Sequence, residues 1–198
     1  MYLNTMTDTT IQRSIRESIA VKQAILHDTV FLQKIARAAE AFVAAFRADG
    51  KVLFCGNGGS AADAQHIAAE LSGRFYTDRP PLYAEALHVN TSYLTAVAND
   101  YGFDEVYARM VQATGRAGDV LVGLSTSGNS PNVLKAIEVA KKQGMTVIGF
   151  TGSTGGKMAA LCDVLLNVPS ADTPRIQEAH ILLGHILCEI VEREMFPA

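Results

Sequence analysis

Five short apolar runs, separated by longer stretches of helical periodicity, limit what this chain can fold into. They are Lys51 to Cys55, Ala84 to Val89, Val120 to Leu124, Thr146 to Phe150 and Val164 to Val168. Runs so nearly continuous in apolar side chains have no solvated face, and their alternation with helices implies a parallel sheet covered on both sides. The expected fold is α/β and doubly wound: a five-stranded, flavodoxin-like parallel sheet flanked by helices. Ahead of it stands an N-terminal helical extension. There Ile11, Ile15, Ile19 and Val21, then Phe31, Ile35, Ala38, Ala39, Phe42 and Phe46, recur at three-to-four spacing. His27-Asp28-Thr29 offers a break with capping residues, and Gly50 is expected to close the second helix. A last helix runs from about Pro174 to Met195, with the proline in its first turn, where a missing N–H costs little. Its apolar positions cover so wide an arc that it is expected to pack both on the sheet and on another subunit.

The 198 residues are 48% hydrophobic and 7% aromatic, enough for one core and one domain over 1–198, with 1–50 as the helical extension and 51–198 as the α/β core. No repeat, low-complexity tract or linker divides it. The net charge of −3 comes from intermixed acids and bases, and the absence of a basic patch argues against a nucleic-acid partner. Cys55, Cys162 and Cys188 are odd in number, lack CxxC spacing and sit in apolar runs, as reduced core cysteines of a cytoplasmic protein do. The first residues lack the apolar core of a signal peptide, and no apolar stretch approaches eighteen residues, so no membrane association is expected.

In a doubly wound sheet, ligands bind beyond the carboxyl ends of the strands, where loops lead into helix N-termini. Two such loops are rich in small polar residues. Gly56-Asn57-Gly58-Gly59-Ser60 follows the first strand. Ser125-Thr126-Ser127-Gly128-Asn129-Ser130 follows the third, with Pro131 fit for a first helical turn. Glycines let the backbone approach a ligand, hydroxyls add donors, and the helix dipole favours an anion. Either loop alone could be an ordinary strand-to-helix turn. Two of them, the second with four hydroxyls in six positions, point to a bound phosphate. Neither is a dinucleotide or Walker motif.

His66 and Glu70 stand four apart on the helix that leaves the first loop, so they share a face and could offer a nitrogen and an oxygen to one divalent ion. Gln177, Glu178, His180 and His185 stand on the last helix. Gln177 and His185 are about 12 Å and roughly 80° apart on a straight helix. Glu178 and His185 share a face better, so spacing does not choose between them. His27 and His88 read as structural or surface residues. Arg74 reads as a contact to an anionic ligand or as a plain salt bridge.

Taken together, CGNGGSAADAQHIAAELSGRF, AVANDYGFDEVYARMV, GDVLVGLSTSGNSPNVLKA and TGSTGGKMAALCDVLLNVPSADTPRIQEAHILLGHILCEIVE resemble the sugar isomerase (SIS) domain family and, within it, the phosphoheptose isomerases. The resemblance implies conversion of sedoheptulose 7-phosphate to D-glycero-D-manno-heptose 7-phosphate through a cis-enediolate, the first step toward nucleotide-activated heptoses. It implies that Asn57, Gly58, Gly59, Ser60, Asn99 and Asp100 meet the sugar, that Ser125, Thr126, Ser127 and Ser130 hold the phosphate, and that Glu70 and Gln177 also face the substrate. One zinc ion per subunit would be held by His66, Glu70, Gln177 and His185. Glu70 would be the catalytic base and His185 the partnering acid, in sites between the subunits of a homotetramer. Pro174 stands where some members carry an acidic residue. Two other readings remain open at this point. One is a silent SIS adaptor that binds a replication initiator, although such adaptors lack the residues matching Glu70 and His185. The other is an enzyme or sensor for a different phosphosugar.

Overall fold

The computed structural model of the protein describes residues 5–197. Two helices, α1 (Thr5–His27) and α2 (Thr29–Arg47), precede the sheet. The expected break between them is present because Asp28 caps α2, its Oδ1 accepting from the Phe31 N–H at 3.0 Å. The stop at the other end of α2 differs in detail. The Gly50 N–H bonds the Ala45 carbonyl and the Asp49 N–H bonds that of Phe46, the Schellman pattern, but the left-handed position is Asp49, at φ 58°, not Gly50. Gly50 is needed for a different reason: a Cβ there would stand 3.0 Å from both the Ala45 carbonyl oxygen and Asp119 Oδ1.

The core then alternates: β1 (Val52–Gly56), α3 (Gly59–Ser72), β2 (Ala84–Ala86), α4 (Thr91–Tyr101), α5 (Val106–Thr114), β3 (Val120–Leu124), α6 (Pro131–Lys142), β4 (Thr146–Thr151), β5 (Val164–Asn167) and α7 (Thr173–Met195). All four strand pairings are parallel, in the order β2-β1-β3-β4-β5. That is the flavodoxin-type order, so the connections diverge at β1 and β3 and leave a crevice beyond their carboxyl ends. Two strands fall short of their expected lengths: the fifth ends one residue early, at Asn167, and the second stops three residues early. After Ala86 the chain turns, and Asn90 caps α4 by accepting from the Tyr93 N–H at 3.0 Å.

Alternating residues of each strand serve opposite layers. Val52, Phe54, Val122, Ile148, Phe150 and Leu166 pack with α2, α3 and α7, whereas Leu53, Cys55, Leu121 and Val147 pack with α4, α5 and α6. The three cysteines are free, and burial pushes the thiols of Cys55, Cys162 and Cys188 up to about 12. Cys55 and Cys188 are core residues, and Cys162 packs half-buried against the core. Among the described residues no helix is long and apolar enough to cross a membrane.

Candidate active site

The register of β1 on β3 places Gly56 beside Leu124, so the two polar loops leave the sheet side by side at the crevice. In the first, Gly58 takes φ 56°, a conformation that favours glycine, and α3 begins at the next residue. Asn57 exchanges two side-chain hydrogen bonds of 2.9 Å with Asn132 in the first turn of α6, tying one loop to the helix that leaves the other. The Tyr107 hydroxyl donates to the Gly56 carbonyl from below. Ser60 is buried, its N–H on the Asn57 carbonyl.

In the second loop, Ser125 is buried with its N–H on the Phe150 carbonyl. Its Oγ lies 2.9 Å from that of Ser130 and 3.4 Å from that of Ser127. Ser130 occupies the N-cap of α6 without using its hydroxyl to cap the helix, and Pro131 follows inside the first turn. Three hydroxyls thus converge at a helix N-terminus, a geometry suited to phosphate oxygens. The loop rests on a third one, Gly152 to Gly156, which sequence reasoning did not single out. The Gly152 N–H bonds the Thr126 carbonyl, the Met158 N–H bonds that of Gly128, and a Cβ on Gly128 would collide with the Gly155 carbonyl. A cavity of about 330 Å³ is lined by Thr126, Ser127, Gly152, Ser153, Thr173 and Ile176, among others. A larger hollow of about 440 Å³ between α2 and α7 has neither the loops nor the histidines in its lining.

At the junction of α3 and α7, His66 Nε2 lies 3.1 Å from Glu70 Oε1 and 3.4 Å from His185 Nε2, and one donor atom from each residue lies within 4.8 Å of the others. Gly184 makes this approach possible, since a Cβ there would overlap the Ile67 side chain of α3. The donors fit a zinc ion. Ligands about 2.05 Å from a tetrahedral centre stand about 3.3 Å from one another, and three protein donors with a position left open is the catalytic pattern. The site is accessible, with the His66 side chain 48% and the Glu70 side chain 27% exposed.

The structure separates the two candidates that spacing left open on α7. Glu178 is held by Arg175 at 2.6 Å, and Arg175 also donates to the Ser14 carbonyl of α1. Gln177 lies over the head of α3, where a Cβ on Gly59 would come within 2.5 Å of its Nε2. His180 turns into the sheet. Asn99 and Asp100 are exposed at the end of α4 and bond each other at 2.8 Å, with no hydrogen bond to either loop among the described residues. Arg74 is exposed and joins no ion pair among the described residues, His27 is exposed, and His88 is half-buried, which lowers its pKa.

Two features near the cluster were not read from the sequence. One Asp63 carboxylate oxygen, one turn before His66 and Ile67, is buried without a partner, and burial raises its pKa against the pull of His66. Glu192 is the other. Burial would raise its pKa, but the Thr77 N–H, Arg79, and the N–H groups of Phe75 and Tyr76 together hold it below the ordinary value of 4.5. Spacing gives no signal for either, because both depend on which segments fold against them.

A flavodoxin-type sheet with hydroxyl and glycine loops at its switch point defines an α/β domain built to take a phosphorylated ligand. The SIS domain profile matches residues 17–152, and relatives match nearly the whole length: the chain belongs to the SIS domain family and, within it, to the phosphoheptose isomerases. It is 55% identical over 188 residues to the phosphoheptose isomerase of Burkholderia pseudomallei, covering 95% of each chain. It superimposes on the phosphoheptose isomerase of Neisseria gonorrhoeae with a TM-score of 0.88 and 49% identity, covering 94% of this chain and 98% of that one. For the enzyme of Francisella tularensis the TM-score is 0.91 at 39% identity, covering 96% and 100%.

Proposed function

We propose that the protein is an aldose–ketose isomerase that converts sedoheptulose 7-phosphate to D-glycero-D-manno-heptose 7-phosphate. The observation that carries this reading is the cluster of His66, Glu70 and His185 beside a hydroxyl-lined anion site. The shared name of the relatives supports the seven-carbon substrate. An adaptor needs no such cluster.

The phosphate would sit on the hydroxyls of Ser125, Thr126, Ser127 and Ser130 at the N-terminus of α6, and Asn57, Gly58, Gly59 and Ser60 would face the sugar. Isomerisation removes a proton from C1 of the ketose and returns one to C2 through a cis-enediolate. Glu70 carries that proton. Its Oε1 faces His66, which leaves Oε2 for the transfer. His185 moves protons between the substrate oxygens. Zinc, when bound by His66, Glu70, His185 and, in this reading, Gln177, would supply a Lewis acid for the carbonyl oxygen. Asn99 and Asp100 reach the sugar in this account only in an assembly, for which the exposed stripe Ile11, Ile15 and Ile19 on α1 gives support. A homotetramer with intersubunit sites, in the cytoplasm, is the setting proposed, and the three free cysteines agree with that compartment.

Glu70→Gln tests the assignment. Turnover of sedoheptulose 7-phosphate should fall at least about a hundredfold, the contribution typical of a positioned base, while the sugar phosphate still binds in calorimetry. Turnover near that of the natural protein would sink the role of Glu70.

A further inference from the structure

The ring of His185 is held on two sides. His66 meets it edge-on at 5.0 Å between centroids, and Phe75 lies over it at 5.7 Å with the planes 28° apart, an offset stack. Phe75 belongs to the segment between α3 and β2, which has no regular structure to fix it. Glu192 supplies the fixing instead. Its Oε2 accepts the Phe75 N–H at 3.3 Å, and its Oε1 accepts the Tyr76 and Thr77 N–H groups at 3.0 Å each. Seven residues separate Glu192 from His185, so both lie on one face of α7, two turns apart. Arg79 completes the device. Its Nε donates to Glu192 Oε2 at 3.2 Å, Nη2 to the Glu70 carbonyl at 2.8 Å, and Nη1 to the Leu71 carbonyl at 2.7 Å. Both side chains are nearly fully buried, at 3% and 5% exposed. One ion pair therefore grips the last turn of the helix that carries Glu70 and, through three backbone N–H groups, the segment that covers His185.

We propose that Phe75 is a positioning residue that fixes the plane of the His185 ring, and that the Glu192–Arg79 pair acts through it. This rests on the isomerase reading, in which His185 must meet substrate oxygens at a set angle. A pair that served only stability would lower the melting temperature and leave turnover of the folded fraction alone. A positioning pair changes kcat with the substrate still bound.

The test compares Phe75→Leu, Phe75→Tyr, Glu192→Gln and the Phe75→Leu/Glu192→Gln double variant. Steady-state kinetics with sedoheptulose 7-phosphate is one readout, and the NMR nuclear Overhauser contact between the Phe75 and His185 rings is the other. Phe75→Leu should lower kcat about tenfold, the scale of lost outer-shell support, with KM within about twofold, and Phe75→Tyr should restore it. Glu192→Gln should lower kcat likewise and weaken the ring-to-ring contact, and the double variant should be no slower than the slower single one. Unchanged kcat in Phe75→Leu, or losses that multiply in the double variant, would overturn the proposal. Should Glu192→Gln not fold, Arg79→Lys takes its place, since it keeps the charge and loses the fork onto α3. A natural protein inactive on the heptose would fail the isomerase reading alone. The ring contact then decides the positioning: lost in the ion-pair variant it supports the device, intact it refutes it.

Discussion

On α7, His180 and His185 lie five residues apart, about 140° around the helix. One meets the cluster on α3, and the other points into the sheet. His180 is fully buried, its Nε2 3.2 Å from the Thr151 carbonyl oxygen and its ring edge-on to Phe150. Burial lowers its pKa to about 4, against the carbonyl bond that would raise it. The sign of the linkage follows. The unfolded chain binds a proton below its ordinary 6.5 and the folded one only below about 4, so this stabilisation is complete above pH 6.5 and is lost as pH falls toward 4. The loss is of the order of 3 kcal/mol. Urea unfolding at about pH 7 and about pH 4.5 should show a steep fall in the natural protein and a shallower one in His180→Gln, whereas equal slopes would contradict the account. Residue identity on α7 was legible in the sequence, but side-chain direction was not. Spacing on one helix cannot say that Arg175 would claim Glu178 for α1 while Gln177 leans over Gly59.

The place of the two polar loops, side by side at the carboxyl ends of β1 and β3, was legible because small polar residues follow the apolar run in each case. Gly152 to Gly156 was not, since it touches the Ser125 to Ser130 loop through backbone and its glycines serve close approach. Gly128 is where the two meet, with φ 66° and the Gly155 carbonyl where a side chain would go. Gly118 gives the control: its φ is 88°, yet nothing lies within 4 Å of its missing Cβ. Gly118→Ala should cost about 1–2 kcal/mol from backbone strain alone. Gly128→Ala should cost about 1–3 kcal/mol more, from the overlap, and weaken phosphate binding as well. Chemical denaturation of both, with phosphate titrated into the folded protein, checks this, and equal losses in stability would refute the packing role. The strands show the same limit. Their number, type and faces follow from the apolar runs, but β2 stops at Ala86 because Asn90 starts a helix, a local contest that hydrophobicity does not report.

At the scale of the whole molecule, the fold and family were legible from the order of runs and loops. The stripe Ile11, Ile15 and Ile19 was read as one face of a helix, and in the folded chain all three stay about half exposed. They are expected to close against another subunit. Ile15→Asp should shift sedimentation velocity toward smaller species without unfolding the α/β core, and an unchanged assembly would place the interface elsewhere. Loops and cluster serve one claim, that proton transfer on a heptose phosphate takes place where α3 meets α7. Its most direct test is NMR-monitored turnover of sedoheptulose 7-phosphate with and without a chelator. The account predicts appearance of the aldose phosphate, its loss on chelation and its return with added zinc; no conversion by the metal-replete protein would contradict it.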